Sequence, residues 1–238
     1  MDIFKNLIKR INYHSERFRD RLLIFKYRNK PFIKYYATLI NREAKKERYV
    51  ISSAGWKNME EMQLVYMLNN GLKPHHTLLD IGCGSLRGGI HFIDYLNISN
   101  YFGTDISSEI LKVSYEVLSQ NNLEYKKPTL CLSENLSLNE VSNQTFDFVH
   151  AHSVLSHMPK EDLEVLFKNI HKVMNPKTVF YASYFETNSD YHSTVTRRNF
   201  YYPFTMLEEL ASKYNLILNK MPDKTDFGKQ SLIRVQVS

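Results

Sequence analysis

The chain has 238 residues, a formal charge of +6, 43% hydrophobic and 13% aromatic residues, enough apolar material for one sizeable core and inconsistent with a disordered composition. Its only two cysteines, Cys83 and Cys131, fall in different expected elements and suggest neither a disulfide framework nor a zinc motif. A reducing, cytoplasmic compartment is the natural reading, and the sequence contains no apolar run of transmembrane length and no pattern of a cleaved signal peptide.

The charge is unevenly placed. Residues 1–34 carry ten Lys/Arg against three Asp/Glu, a net of +7, which leaves the remainder at −1. The basicity belongs to the N-terminal segment, which weakens the nucleic-acid reading that a pI near 9.1 invites.

Residues 3–28 read as a basic amphipathic helix, with Phe4, Leu7, Ile8, Ile11, Phe18, Leu22 and Phe25 at three- and four-residue steps and Pro31 beyond its end. Helices are expected over 33–48, closing on the charged run Glu43 to Arg48, and over 56–70, capped by Gly71. Trp56, the single tryptophan, opens the latter and reads as a core anchor or as part of the site's wall, the core first.

From residue 77 short apolar runs alternate with amphipathic stretches. Strands are expected at 77–81, 101–105, 129–132, 146–150, 178–184, 216–218 and 231–237, with helices over about 86–96, 108–120, 160–174 and 204–214. This alternation implies βαβ units. The expected fold is an open, mostly parallel seven-stranded α/β sheet with helices on both faces. The division is an N-terminal helical extension over 1–50 and a domain over 51–238.

The sharpest motif is Asp80-Ile81-Gly82-Cys83-Gly84-Ser85-Leu86-Arg87-Gly88-Gly89, between the first strand and its helix. Glycines there let a ligand approach the backbone, and the helix start favours hydrogen-bond acceptors and negative groups. Asp105 ends the second strand about 20 residues on, where a carboxylate accepts from ribose hydroxyls. The dinucleotide fingerprint needs a third glycine where Arg87 stands, which argues against a nicotinamide dehydrogenase. Asp80 directly precedes the turn, where it could face an ammonium group.

Leu79-Asp80-Ile81-Gly82-Cys83-Gly84 resembles the first motif of the class I, Rossmann-like S-adenosylmethionine-dependent methyltransferases, and Phe102-Gly103-Thr104-Asp105-Ile106-Ser107 resembles their second. Ser133-Glu134-Asn135-Leu136 lies where that family usually has an acid near the adenine. Thr145–Val149 and Ser153–Pro159 resemble its fourth-strand region, so the match runs in order over about 77–185. The resemblance supplies the strand order and an antiparallel final strand. It implies S-adenosyl-L-methionine as cofactor. Gly82 and Gly84, with Cys83 and Arg87 in the same turn, would line its methionine part, Asp80 would orient it, and Asp105 would hold the ribose. Ile106 would pack on the adenine, Glu134 or Asn135 would contact its edge, and His152 would sit beside the sulfonium.

An in-line methyl transfer depends mainly on proximity. A hydroxyl acceptor also needs a base, and His152 and His157 are the candidates, with Tyr191 and His192 further along. His150, His152 and His157 are not expected to form a metal site, because strand alternation separates His150 from the loop pair. Arg197, Arg198, Tyr201 and Tyr202 lie where a substrate loop would be, and read equally as a solvated basic loop.

The expected activity is methylation of a small-molecule or glycan-type acceptor at oxygen. The alternatives are a nucleic-acid methyltransferase and a non-catalytic cofactor-binding module. Ala151-His152-Ser153-Val154 lacks the Asn/Asp-Pro-Pro-aromatic motif of amino-methylating nucleic-acid enzymes. The basic N-terminal helix is compatible with a lid or homodimer contact, which its apolar stripe favours first, with a peripheral membrane contact, or with a nucleic-acid contact.

Overall fold

The computed structural model describes residues 18–46, 57–194, 196–222 and 230–238. Much of the expected first helix and all of Trp56 lie outside these residues; within them the chain is helical over 18–26. Two further helices precede the sheet, α1 (Phe32–Lys46) and α2 (Lys57–Asn69). Gly71 ends α2 as the spacing predicts: its φ is +97°, and the Leu72 amide returns to the Met67 carbonyl at 3.0 Å.

The sheet follows as β1 (Leu78–Ile81), α3 (Gly89–Tyr95), β2 (Tyr101–Asp105), α4 (Ser108–Gln120), β3 (Thr129–Leu132), β4 (Phe148–Ala151), α5 (Lys160–Asn169) and β5 (Val179–Glu186). After these come β6 (His192–Ser193), β7 (Phe200–Tyr202), α6 (Phe204–Ser212), β8 (Leu216–Lys220) and β9 (Ser231–Val237). The order β3-β2-β1-β4-β5 is parallel throughout, and β9 runs antiparallel between β5 and β8. These seven strands are the expected sheet.

Two strands were not expected. Tyr201 and Tyr202 pair in parallel with Phe185 and Glu186, beyond the Ala151–Ala182 pair where β4 ends, and β6 folds back on β7. Among the described residues the sheet therefore has nine strands. Three- and two-residue strands carry too few side chains for a period-two pattern to register. Two expected helices are also shorter. Leu86 takes a positive φ of 63°, so the chain turns before α3 begins, and α5 gives way to a 3₁₀ turn over Ile170–Lys172.

Alternation along the strands fills two cores. Leu79, Val149 and Phe180 face one side with Leu163, Leu166 and Phe167 of α5 and Leu207 and Leu210 of α6. Leu78, Phe148 and Tyr181 face the other with Phe92 and Ile93 of α3 and Val117 and Leu118 of α4. A parallel sheet covered on both faces leaves its carboxyl edge as the place for a site. Here β1 lies between β2 and β4, where the chain reverses its winding.

Candidate active site

The ends of β1, β2 and β4 open into a cavity of about 240 Å³. Gly82, Gly84 and Arg87 of the first turn line it, with Thr104, Asp105 and Ile106 at the end of β2. So do His152, Ser153, Val154 and His157 after β4. Residues more than 70 positions apart in sequence thus share one cleft.

The glycine turn is fixed before any ligand arrives. The Thr104 carbonyl accepts from the amides of Gly82 at 2.7 Å and Cys83 at 3.0 Å, and Ser114 Oγ donates to the Gly84 carbonyl at 2.7 Å. Gly82 has φ +70° and Gly84 φ +56°, a region that L side chains enter at about 1–2 kcal/mol. A Cβ on Gly82 would lie 2.5 Å from Val154 Cγ2, whereas a Cβ on Gly84 would meet nothing closer than 4.0 Å. Gly84 is therefore open toward the cavity and Gly82 is closed by the β4 loop. The unusual Gly88-Gly89 pair has a packing cause: Cβ atoms there would lie 2.6 Å from Gln63 Oε1 and 2.5 Å from the Tyr101 hydroxyl.

Asp105 accepts from the Gly84 amide on Oδ2 at 3.0 Å and from the Ser107 amide on Oδ1 at 2.9 Å. A carboxylate offers about four acceptor positions, so capacity remains on both oxygens for two vicinal hydroxyls. Burial pushes its pKa up from 3.8 to about 6, against the lowering effect of these backbone donors.

Asp80 lies elsewhere. Strand alternation turns it to the α3 side, where it is 5% exposed, accepts from the Tyr101 hydroxyl at 2.7 Å and meets His150 Nδ1 at 3.0 Å. It is a buried support beneath the turn rather than part of the cavity wall. Cys83 also stays off the wall, packed in the same core, where burial raises its thiol pKa well above the ordinary value. Glu134 and Asn135 are exposed, and Asn135 Oδ1 accepts from the Ser137 amide in a local turn. Ser133 and Leu136 line the cavity there instead.

The two candidate bases differ. His152 stacks parallel to His150, ring centroids 6.2 Å apart, and burial, followed by the neighbouring His150 and Arg87, lowers its pKa to about 3. His157 stacks on Tyr36 at 5.6 Å, and its Nδ1 donates to the Arg198 carbonyl at 2.6 Å. That bond places the proton on Nδ1 and leaves the Nε2 lone pair as the acceptor. Burial lowers the His157 pKa, so its ring is neutral at neutral pH.

Part of the wall has no local signal in the sequence. Phe32, Ile33, Tyr36 and Ile40 of α1 line the cavity, and Asn41 Oδ1 ties α1 to the start of α4 by accepting from Ser107 Oγ at 2.7 Å and the Glu109 amide at 3.2 Å. Asp162 in the first turn of α5 also faces the cavity, with burial raising its pKa to about 6. Its place after Pro159 reads as an ordinary helix start. His192 is exposed and stacks on Tyr201 at 4.8 Å, and Tyr191 packs on Phe200 and Tyr202; neither lines the cavity.

Comparison with known proteins agrees with this geometry. Residues 79–180 match the family model described as a methyltransferase domain. An uncharacterised protein of Rickettsia prowazekii is 28% identical over 107 residues, a stretch covering 45% of this chain and 42% of that relative. The fold superposes on a magnesium protoporphyrin IX methyltransferase from Synechocystis with bound S-adenosylmethionine, at 14% identity and a TM-score of 0.58 over 77% of this chain and 80% of that one. A glycopeptide N-methyltransferase complexed with sinefungin gives 11% identity and 0.60 over 76% and 94%. A methyltransferase from Clostridium acetobutylicum gives 14% and 0.58 over 77% and 92%.

The residues present fit the cofactor, with an open Gly84 cradle, free acceptor capacity on Asp105 and an apolar wall from Ile106 and Leu136. Residues 79–180 match a methyltransferase domain, and the fold is the one seen in solved S-adenosylmethionine-dependent methyltransferases.

Proposed function

We propose that the protein methylates an oxygen of a small-molecule or glycan-type acceptor, with His157 as general base. The observation that carries this reading is the His157–Arg198 hydrogen bond, which leaves a neutral imidazole with its Nε2 lone pair unprotonated in a residue lining the cavity.

When bound, S-adenosylmethionine supplies a methyl group already activated by a positively charged sulfur. Gly84 and Asp105 would hold that cofactor, and Ile106 and Leu136 would provide apolar surface for its base. As the methyl–oxygen bond forms and the methyl–sulfur bond breaks, leaving S-adenosylhomocysteine with the electron pair, the proton of the acceptor hydroxyl would pass to His157 Nε2, a contribution of about 10²–10⁴ in rate. His152 is too weak a base for this at a pKa of about 3 and serves as a neutral polar wall. The rings of Phe32 and Tyr36 add aromatic wall to a cavity of about 240 Å³, a size that favours a small acceptor or the end of a larger one over a folded nucleic acid.

The test is radiolabelled methyl transfer to a panel of hydroxyl-bearing metabolites and glycans, with the wild type and His157→Gln. The expected result is transfer to oxygen, with kcat about 10²–10⁴ lower in the variant and an unchanged affinity for S-adenosylhomocysteine. Transfer to an amine or a nucleic acid, or full kcat in His157→Gln, would overturn this reading.

A further inference from the structure

The helical segment over 18–26 has two apolar faces, and only one of them meets the protein. Leu23, Ile24 and Tyr27 are half-buried, and Asp20 on the same side is 5% exposed. Asp20 Oδ2 accepts from Arg198 at 3.0 Å, and its Oδ1 pairs with Arg42 of α1. These ion pairs fix which way the helix is rotated. The opposite face then points outward, and it carries Phe18 at 63%, Leu22 at 53% and Phe25 at 66% exposure.

Those three side chains, at i, i+4 and i+7, form a single stripe. At 100° per residue Arg19 and Lys26 flank it on one side and Arg21 on the other. Arg28 follows, its guanidinium 4.0 Å from the centre of the Phe25 ring, and Lys30 lies just beyond. The only acidic residue among 18–30 is Asp20, which faces inward.

We propose that this face docks on an anionic lipid bilayer, with Phe18, Leu22 and Phe25 entering the interfacial region and the surrounding cations meeting lipid phosphates and carboxylates. An apolar stripe bordered on both sides by Arg and Lys is the arrangement that interfacial helices use, because the long cationic side chains reach back to the headgroups. A second copy of the chain fits less well. A symmetric contact would bring Arg19, Arg21 and Lys26 of each copy against those of the other with no acidic residue of this face to offset them. Among the described residues no helix is long and apolar enough to cross a membrane, so the attachment is to one surface. It uses no residue of the cavity and stands independently of the acceptor chemistry.

The test is co-sedimentation of the full chain with phosphatidylcholine vesicles, with and without phosphatidylserine. A variant combining Phe18→Ser, Leu22→Ser and Phe25→Ser is run in parallel, with thermal melting and S-adenosylhomocysteine affinity as controls on its fold. The expected result is binding to the phosphatidylserine vesicles alone, weakened by salt and reduced about tenfold or more in the folded variant. A chain that stays in the supernatant, or binding the variant retains, would overturn the proposal. So would a dimer in sedimentation velocity that the variant abolishes, because the stripe would then be an interface between copies.

Discussion

His157 donates its Nδ1 proton to the carbonyl of Arg198 across 2.6 Å, and the Arg198 guanidinium in turn pairs with Asp20 and Glu43. One residue thus joins the loop after β4, the loop between β6 and β7 and the N-terminal helices. The proposed base is oriented by a backbone atom whose loop is tied by ion pairs to side chains from the far end of the sequence. Arg198→Ala leaves that carbonyl in place but frees its loop from Asp20 and Glu43. The expected outcome is a kcat about tenfold lower through misplacement of His157, with cofactor affinity nearly unchanged. Steady-state kinetics with S-adenosylhomocysteine titration separates the two effects. Faster amide hydrogen exchange over 18–26 should accompany them.

The turn at Gly82 carries two separable costs for a side chain. Gly82→Ala places an alanine at φ +70° and its Cβ 2.5 Å from Val154 Cγ2. The backbone part alone is about 1–2 kcal/mol, so, with the free turn relaxing to relieve it, affinity for S-adenosylhomocysteine should fall by about five- to thirtyfold. Adding Val154→Ala removes the clash but not the backbone strain. Calorimetric titration of the double variant should therefore recover part of the affinity and not all of it.

Protonation of Asp105 gives a pH dependence with a definite sign. Its pKa stands at about 6 in the folded protein against 3.8 ordinarily, so between these values the folded chain holds a proton that the unfolded chain has released. That group therefore adds stability as pH falls through this window, while cofactor affinity moves the opposite way. A protonated carboxyl loses acceptor capacity for the ribose hydroxyls, and affinity should fall about tenfold per pH unit below about 6. His152, with its pKa at about 3, stays neutral through the window. Asp162 also titrates near 6 and lines the cavity, so titrations are run on Asp162→Asn as well. The decline should persist in Asp162→Asn and vanish in Asp105→Asn, whose affinity is already low.

The sheet was legible because its signals are local. Each of β1 to β5 is a short apolar run followed by a helix with its own period, and the glycine turn and Asp105 sit where backbone conformation and strand ends demand them. Asp80 shows where that reading stops. Its adjacency to the turn suggested a cofactor contact, but strand alternation sends it to the opposite core, against Tyr101 and His150. Glu134 and Asn135 likewise stand in the right segment, while Ser133 and Leu136 face inward. The α1 wall was not legible at all. Phe32, Tyr36 and Ile40 are spaced as one face of an ordinary helix, and it is the Tyr36–His157 stack and the Asn41 bonds to the start of α4 that show what that face covers.

The most direct test of the central claim is calorimetric titration of S-adenosylhomocysteine into the wild type and into Asp105→Ala. Micromolar binding by the wild type and at least about a hundredfold loss in the folded variant are expected, since two hydrogen bonds to a charged acceptor disappear. Undiminished binding by a folded Asp105→Ala, or none by the folded wild type, would contradict it.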